Sequence, residues 1–158
     1  MENDKVFNEN NLTFSVLGEP KTQEELSKVF PFEFYGKNNF FQFYQTYNGV
    51  FFPEGAEIST EKFQNVEDEE YYELEIEFIY SIEHLTKMWE AIKERSAIAK
   101  QFVATHIPFA RDAAGNEFFI EISTGEIKYV SWEYDIEEGL IWVAPSFKDF
   151  CLAIKSLE

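Results

Sequence analysis

A chain of 158 residues with 30 acidic and 13 basic side chains carries a formal net charge of −17, which disfavours DNA, RNA and anionic membrane surfaces as partners and favours basic proteins. Hydrophobic residues make up 45% and aromatics 18%, with 18 Phe, so a disordered acidic tail is excluded; a chain this long buries roughly 70% of its unfolded surface. The single cysteine, Cys151, rules out an intramolecular disulfide and a multi-cysteine metal site, and suits a reducing cytoplasm.

In chain order, residues 1–11 are polar and acidic without the apolar core of a secretory signal, and no later stretch approaches the ~18 apolar residues of a membrane span. The expectation is a cytoplasmic protein, one domain over 1–158, with 1–20 as an N-terminal segment and 21–158 as the core. Thr22 and Glu25 have capping-box spacing, and Leu26, Val29 and Phe30 recur at helical intervals before Pro31. Asn38 or Asn39 is the expected cap of a second helix, whose stripe of Phe40, Phe43, Tyr44 and Tyr47 is stopped by Asn48-Gly49. Pro53 and Gly55 suggest a loop over 50–57, with Ile58 opening a short strand.

Over 74–80 the chain alternates, with Leu74, Ile76 and Phe78 facing a core while Glu73, Glu75 and Glu77 face water. Ser81 caps a third helix carrying Ile82, Leu85, Trp89 and Ile92 and reaching Arg95; residues 102–110 then read as a strand. Gly115-Asn116 turns the chain, Phe118, Ile120 and Ile122 share one strand face, Thr124-Gly125 turns again, and Ile127 and Tyr129 continue the hairpin. A strand over 140–144 precedes a helix capped by Ser146 with Asp149, on which Phe147, Phe150, Cys151, Ile154 and Leu157 are spaced for burial. This order predicts an α+β fold in which helices cover an antiparallel sheet, with room for a mixed edge.

The strongest functional signal is charge. Between Phe63 and Thr86 stand eight carboxylates and no Lys or Arg, seven of them Glu67, Asp68, Glu69, Glu70, Glu73, Glu75 and Glu77. A one-signed run of this kind attracts cations and speeds encounter with basic macromolecules, whereas solubility alone is served by mixed charges. These seven are the candidate partner-binding residues.

Chemistry of other kinds finds little support. His84, His106 and Cys151 are too far apart in sequence for ligand spacing, so no metal site is assigned. Cys151 lies on an apolar helical stripe, where a thiol is inert, and among 30 acids no particular carboxylate pair stands out for acid–base work. Gly115 sits between strands and opens no helix, so it cradles no phosphate, and residues 112–116 lack the ligand pattern of a calcium loop. No catalytic, cofactor-binding or metal-binding residue is expected.

Three segments carry a resemblance. Residues 40–49, ending in Tyr47-Asn48-Gly49, resemble the helix ending in Tyr-Asn-Gly of the SUKH superfamily, the Smi/Knr-type proteins that include a yeast cell-wall regulator and many bacterial immunity proteins. Ile107-Pro108-Phe109-Ala110, followed by Asp112, Gly115-Asn116 and Phe118-Phe119-Ile120, is similar to the central segment of that family. Ser146-Phe147 with Phe150 is similar to its terminal helix. The chain departs from the usual pattern at Leu26-Ser27, Phe30-Pro31 and Val50. The resemblance implies the fold and a non-catalytic role, binding and neutralising a toxin domain, often a nuclease. A regulatory scaffold in a cell-wall or signalling context is the alternative, and a hydrolase comes third.

Overall fold

The computed structural model describes residues 12–63 and 72–157. After the short β1 (Ser15–Val16), α1 (Gln23–Val29) begins with the expected capping box: the Glu25 amide donates to Thr22 Oγ1 over 3.1 Å and the Thr22 amide to Glu25 Oε1 over 3.0 Å. Both orphan donors of the first turn are thereby satisfied. α2 (Lys37–Thr46) starts earlier than its asparagines suggest. Gly36, at φ 87°, is its N-cap, so the left-handed turn before the helix does the work assigned to Asn38 or Asn39, and both asparagines fall in the first turn.

The predicted loop over 50–57 is instead part of β2 (Val50–Ser59). Pro53 and Gly55 fall where the register with the next strand slips between Phe51 and Ala56, so the turn-forming residues mark a bulge inside a strand. A 3₁₀ turn, Thr60–Phe63, follows, and β3 (Glu73–Ile79) alternates over its first half as predicted, with Leu74 and Ile76 buried and Glu73 and Glu75 exposed. Ser81 caps α3 (Ile82–Lys93) by accepting from the His84 amide. The expected strand over 102–110 is corrected at its start: Phe102 and Val103 belong to α4 (Ala97–Val103), capped by Ser96, and β4 (His106–Arg111) begins later.

β5 (Glu117–Glu121) and β6 (Ile127–Val130) form the predicted hairpin, α5 (Ile136–Gly139) leads into β7 (Leu140–Ala144), and Ser146 caps α6 (Phe147–Ala153). Leu157 is not on that helix. The chain leaves α6 at Ile154 and forms β8 (Lys155–Ser156), leaving Leu157 37% exposed.

Among the described residues every strand pairing is antiparallel, in the order β1-β2-β3-β4-β5-β6-β7 with β8 beside β2, and no mixed edge occurs. The 3₁₀ turn packs beside β7, so the sheet curls and its ends approach each other. α2 and α6 cover one face. Phe40 and Phe43 meet Phe147 at 5.0 and 5.7 Å between ring centroids, and Phe150 meets Phe109 and Phe118 at 5.2 and 5.4 Å, mostly edge to face. On the other face Ile92 of α3 with Ala99 and Val103 of α4 packs on Phe119 and Val130. Adjacent residues on β5 thus enter opposite layers, Phe118 and Ile120 the first and Phe119 the second.

Candidate partner-binding surface

The sequence-predicted site falls on two kinds of residue. Glu67, Asp68, Glu69 and Glu70 lie outside the described residues. Glu73, Glu75 and Glu77 lie on β3, where Glu73 and Glu75 project outward while the buried Leu74 and Ile76 anchor the strand from beneath. Glu77 is different: Arg111 Nη2 donates to its Oε1 over 3.2 Å, and that guanidinium lies 5.1 Å from the Phe78 ring, so its charge is answered within the fold.

Glu57 extends the surface. It is the Cα partner of Glu75 across the β2–β3 ladder, placing two carboxylates directly opposite, an arrangement that costs stability. Lys155 of β8, on the other side of β2, approaches Glu57 at 3.6 Å and relieves part of that repulsion. Sequence reasoning missed Glu57 because it fell inside the expected loop; the alternation Ala56, Glu57, Ile58, Ser59 was the available signal. Among the described residues no cation is recorded on Glu73 or Glu75, so this face keeps a net negative field.

Among the described residues Arg111 Nε is buried without a hydrogen-bond partner, whereas the buried Glu117 and His106 find partners inside the fold. Glu117, fully buried, accepts from Trp132 Nε1 at 2.8 Å, Tyr80 Oη at 2.9 Å and Arg95 Nη1 at 3.3 Å, while the Arg95 guanidinium stacks over the Trp132 ring. Burial pushes its carboxyl above the ordinary range, and those three donors pull it back. Lys128 Nζ bridges Glu121 Oε1 at 2.8 Å and His106 Nε2 at 3.3 Å; His106 Nδ1 lies 3.0 Å from the Phe102 carbonyl, and burial lowers the histidine's pKa. Burial also raises the pKa of the Cys151 thiol, which projects from α6 into the core.

Among the described residues no group of three His, Cys, Asp or Glu is placed to hold a metal, and no helix is long and apolar enough to cross a membrane. Two hollows, one along α4 and one beside Tyr35 and Ile122, are open to solvent and lined by a single charged side chain each. Neither gathers the convergent polar groups that chemistry on a small molecule requires.

The residues that carried the sequence resemblance turn out to be fold-making. Asn48 Oδ1 accepts from the Ile82 amide at 2.8 Å and its Nδ2 donates to Glu83 at 2.9 Å, tying the end of α2 to the start of α3. Gly49 turns there at φ 86°, where a Cβ would stand 2.5 Å from the Ser81 nitrogen. Asp112 Oδ1 accepts from the Ala114 and Asn116 amides, its Oδ2 takes the Tyr129 hydroxyl at 2.7 Å, and Asn116 Oδ1 holds the Trp132 amide. A family model described as SMI1 / KNR4 family (SUKH-1) matches residues 23–152. No curated protein and no solved structure matches the chain. Most of the chain lies inside the matched span, and the protein belongs to the SMI1 / KNR4 family (SUKH-1).

Proposed function

We propose that this chain is a non-catalytic, immunity-type binding protein that acts in the cytoplasm as a single domain and neutralises a basic toxin domain, with a nuclease as the target class. The observation that carries the reading is the carboxylate face of β2 and β3. Glu57, Glu73 and Glu75 share that surface, and Glu67, Asp68, Glu69 and Glu70 belong to the same run in sequence. A nuclease must hold phosphate and is accordingly basic; carboxylates offered in place of phosphates compete for those cations and accelerate encounter. Family membership supports a protein-binding role and equally suits a second reading, a regulatory scaffold in a cell-wall or signalling context.

Capture from the source cell followed by mass spectrometry identifies the partner, and stopped-flow association then tests the surface. The on-rate falls as the Debye length shrinks from ~30 Å at 0.01 M to ~8 Å at 0.15 M ionic strength. Replacing Glu69, Glu70, Glu73 and Glu75 by Gln lowers it several-fold with the circular dichroism spectrum unchanged. A quadruple variant with wild-type rate and salt dependence would move the docking surface elsewhere.

A further inference from the structure

Asn48-Gly49 is the chain's one Asn-Gly pair. In an unfolded chain such a pair reacts with itself. The Gly nitrogen, which no neighbouring Cβ shields, attacks the Asn carboxamide carbon; a five-membered imide closes, and the carboxamide nitrogen leaves as ammonia with the proton of the attacking N–H. Water then opens the imide at either carbonyl. One opening gives aspartate, and the other gives isoaspartate, in which the main chain runs through the side-chain carbons. The balance is one water taken up and one ammonia released, with no enzyme and no oxidant required.

The fold holds the two reacting groups in place. Ring closure requires Asn48 Cγ to swing onto the Gly49 nitrogen, and Cγ carries both atoms that tie α2 to α3: Oδ1, which accepts from the buried Ile82 amide at 2.8 Å, and Nδ2, which donates to Glu83 Oε1 at 2.9 Å. Glu83 is itself held by Lys21. Gly18 closes on the same carboxamide, since a Cβ there would stand 2.8 Å from Asn48 Nδ2. Gly49 is pinned as well. Its carbonyl accepts from the Leu17 amide at 3.0 Å, and it lies so close to Tyr80 and Ser81 that a Cβ would stand 2.5 Å from the Ser81 nitrogen. Asn48 cannot turn toward Gly49 until this joint opens.

We propose that Asn48-Gly49 is a self-modification site that the native fold silences, and that deamidation there makes unfolding irreversible. Either product damages the joint that protects it. Aspartate keeps the acceptor for Ile82 but loses the donor to Glu83 and sets a second carboxylate beside it. Isoaspartate lengthens the main chain by one carbon between residues 48 and 49, where the packing of Gly49 against Ser81 leaves no slack. A chain that opens often therefore loses its α2–α3 joint and does not regain it, whereas a partner that binds only the folded chain preserves it. This holds whatever the partner, and does not depend on the carboxylates of β2 and β3.

The full chain, folded or in guanidinium chloride, is kept at mildly alkaline pH, which favours loss of the Gly49 amide proton, while peptide mass spectrometry follows conversion of amide to acid at each asparagine. Asn38 and Asn39, exposed and half-buried in the first turn of α2 and followed by Asn and Phe, are the internal controls. In denaturant Asn48 converts ahead of both. In the folded chain two hydrogen bonds must break first, one of them to a charged acceptor, so conversion at Asn48 is at least ~30-fold slower than in denaturant. Once denaturant is removed, chains carrying aspartate at residue 48 unfold at a lower guanidinium midpoint, and the isoaspartate fraction does not regain the native circular dichroism spectrum. Glu83→Ala removes the acceptor for Nδ2 and raises the folded-state rate several-fold with the rate in denaturant unchanged; should that variant fail to fold, the wild-type comparison decides. Equal rates at Asn48 in the folded and unfolded chain, Asn38 or Asn39 outrunning it in denaturant, or deamidated chains that refold to the wild-type midpoint overturn the proposal.

Discussion

Asn48 offers the sharpest test of how the fold is stapled. Its side chain is 2% exposed, accepts from the buried Ile82 amide at 2.8 Å and donates to Glu83 Oε1 at 2.9 Å. Asn48→Ala strands the Ile82 donor, which costs about 1 to 3 kcal/mol, and removes a bond to a charged acceptor. That second bond is discounted because the Glu83 side chain is 59% exposed and water replaces the lost donor. The expected total is about 2 to 4 kcal/mol, read from urea unfolding at neutral pH as a shift of midpoint with the slope unchanged. Asn48→Asp separates the two terms. It keeps the acceptor for Ile82 but sets a buried carboxylate against Glu83, so its cost contains a repulsion that falls as salt rises, whereas the cost of Ala does not. Thr46→Ala, which removes only an exposed hydroxyl's bond to the Gln42 carbonyl, is the control and stays within about 0.5 kcal/mol. An Ala variant costing under 1 kcal/mol, or an Asp variant whose cost does not change with salt, would refute the staple.

Two further outcomes follow from the core and from the histidines. Phe150→Ala removes a fully buried ring from between Phe109 and Phe118 and costs about 3 to 5 kcal/mol in the same assay; a cost within error would mean that α6 does not seat on the sheet. His106 and His84 are both held below the ordinary 6.5, chiefly by burial, with Lys128 beside the first and Arg111 and Lys87 near the second. The unfolded chain then binds more protons than the folded one just below pH 6.5. Stability is therefore full above that value and falls as pH drops through the folded-state pKa values. His106 contributes most visibly because its protonated ring would face the Lys128 ammonium at 3.3 Å, although Glu121 shares that lysine and the Phe102 carbonyl favours a proton on Nδ1. Unfolding free energies of the wild type and His106→Asn, measured from pH 7.5 to 5.5, show a shallower slope for the variant; equal slopes would contradict the assignment.

Local chemistry that closes within four residues was readable in advance. Thr22, Ser81 and Ser146 cap the helices their spacing indicates, and the alternation of Leu74 and Ile76 with Glu73 and Glu75 sets the inner and outer faces of β3. What depends on distant pairing was not. β1 and β8 are two residues long and exist because β2 lies beside them. Pro53 and Gly55 carry a turn signal that the sheet absorbs as a bulge. α4 hides in sequence because its buried Ala99 and Val103 are too sparse for a helical stripe, and Phe102 and Val103 run on into the apolar β4. Alternation places Glu117 on the face opposite Phe118, which alone suggests solvent; α3 and α4 cover that face, so the carboxylate is buried and requires Tyr80, Arg95 and Trp132.

The same distinction separates fold from function in this chain. Asn48, Gly49, Asp112, Asn116 and Ser146, which lie in the segments that carried the sequence resemblance, are spent on caps and turns. Partner choice is left to surfaces those residues do not constrain. The carboxylates of β2 and β3 need only alternate with a buried row, so their number can change without disturbing the core beneath. Glu77 marks the limit of that freedom, because Arg111 has already engaged it. On the proposed reading, tuning for a basic partner falls first on Glu73 and Glu75, and less on Glu57, which Lys155 already meets. Substitutions there change association rate and its salt dependence and leave unfolding midpoints within about 0.5 kcal/mol, apart from a small gain where one member of the Glu57–Glu75 pair is neutralised.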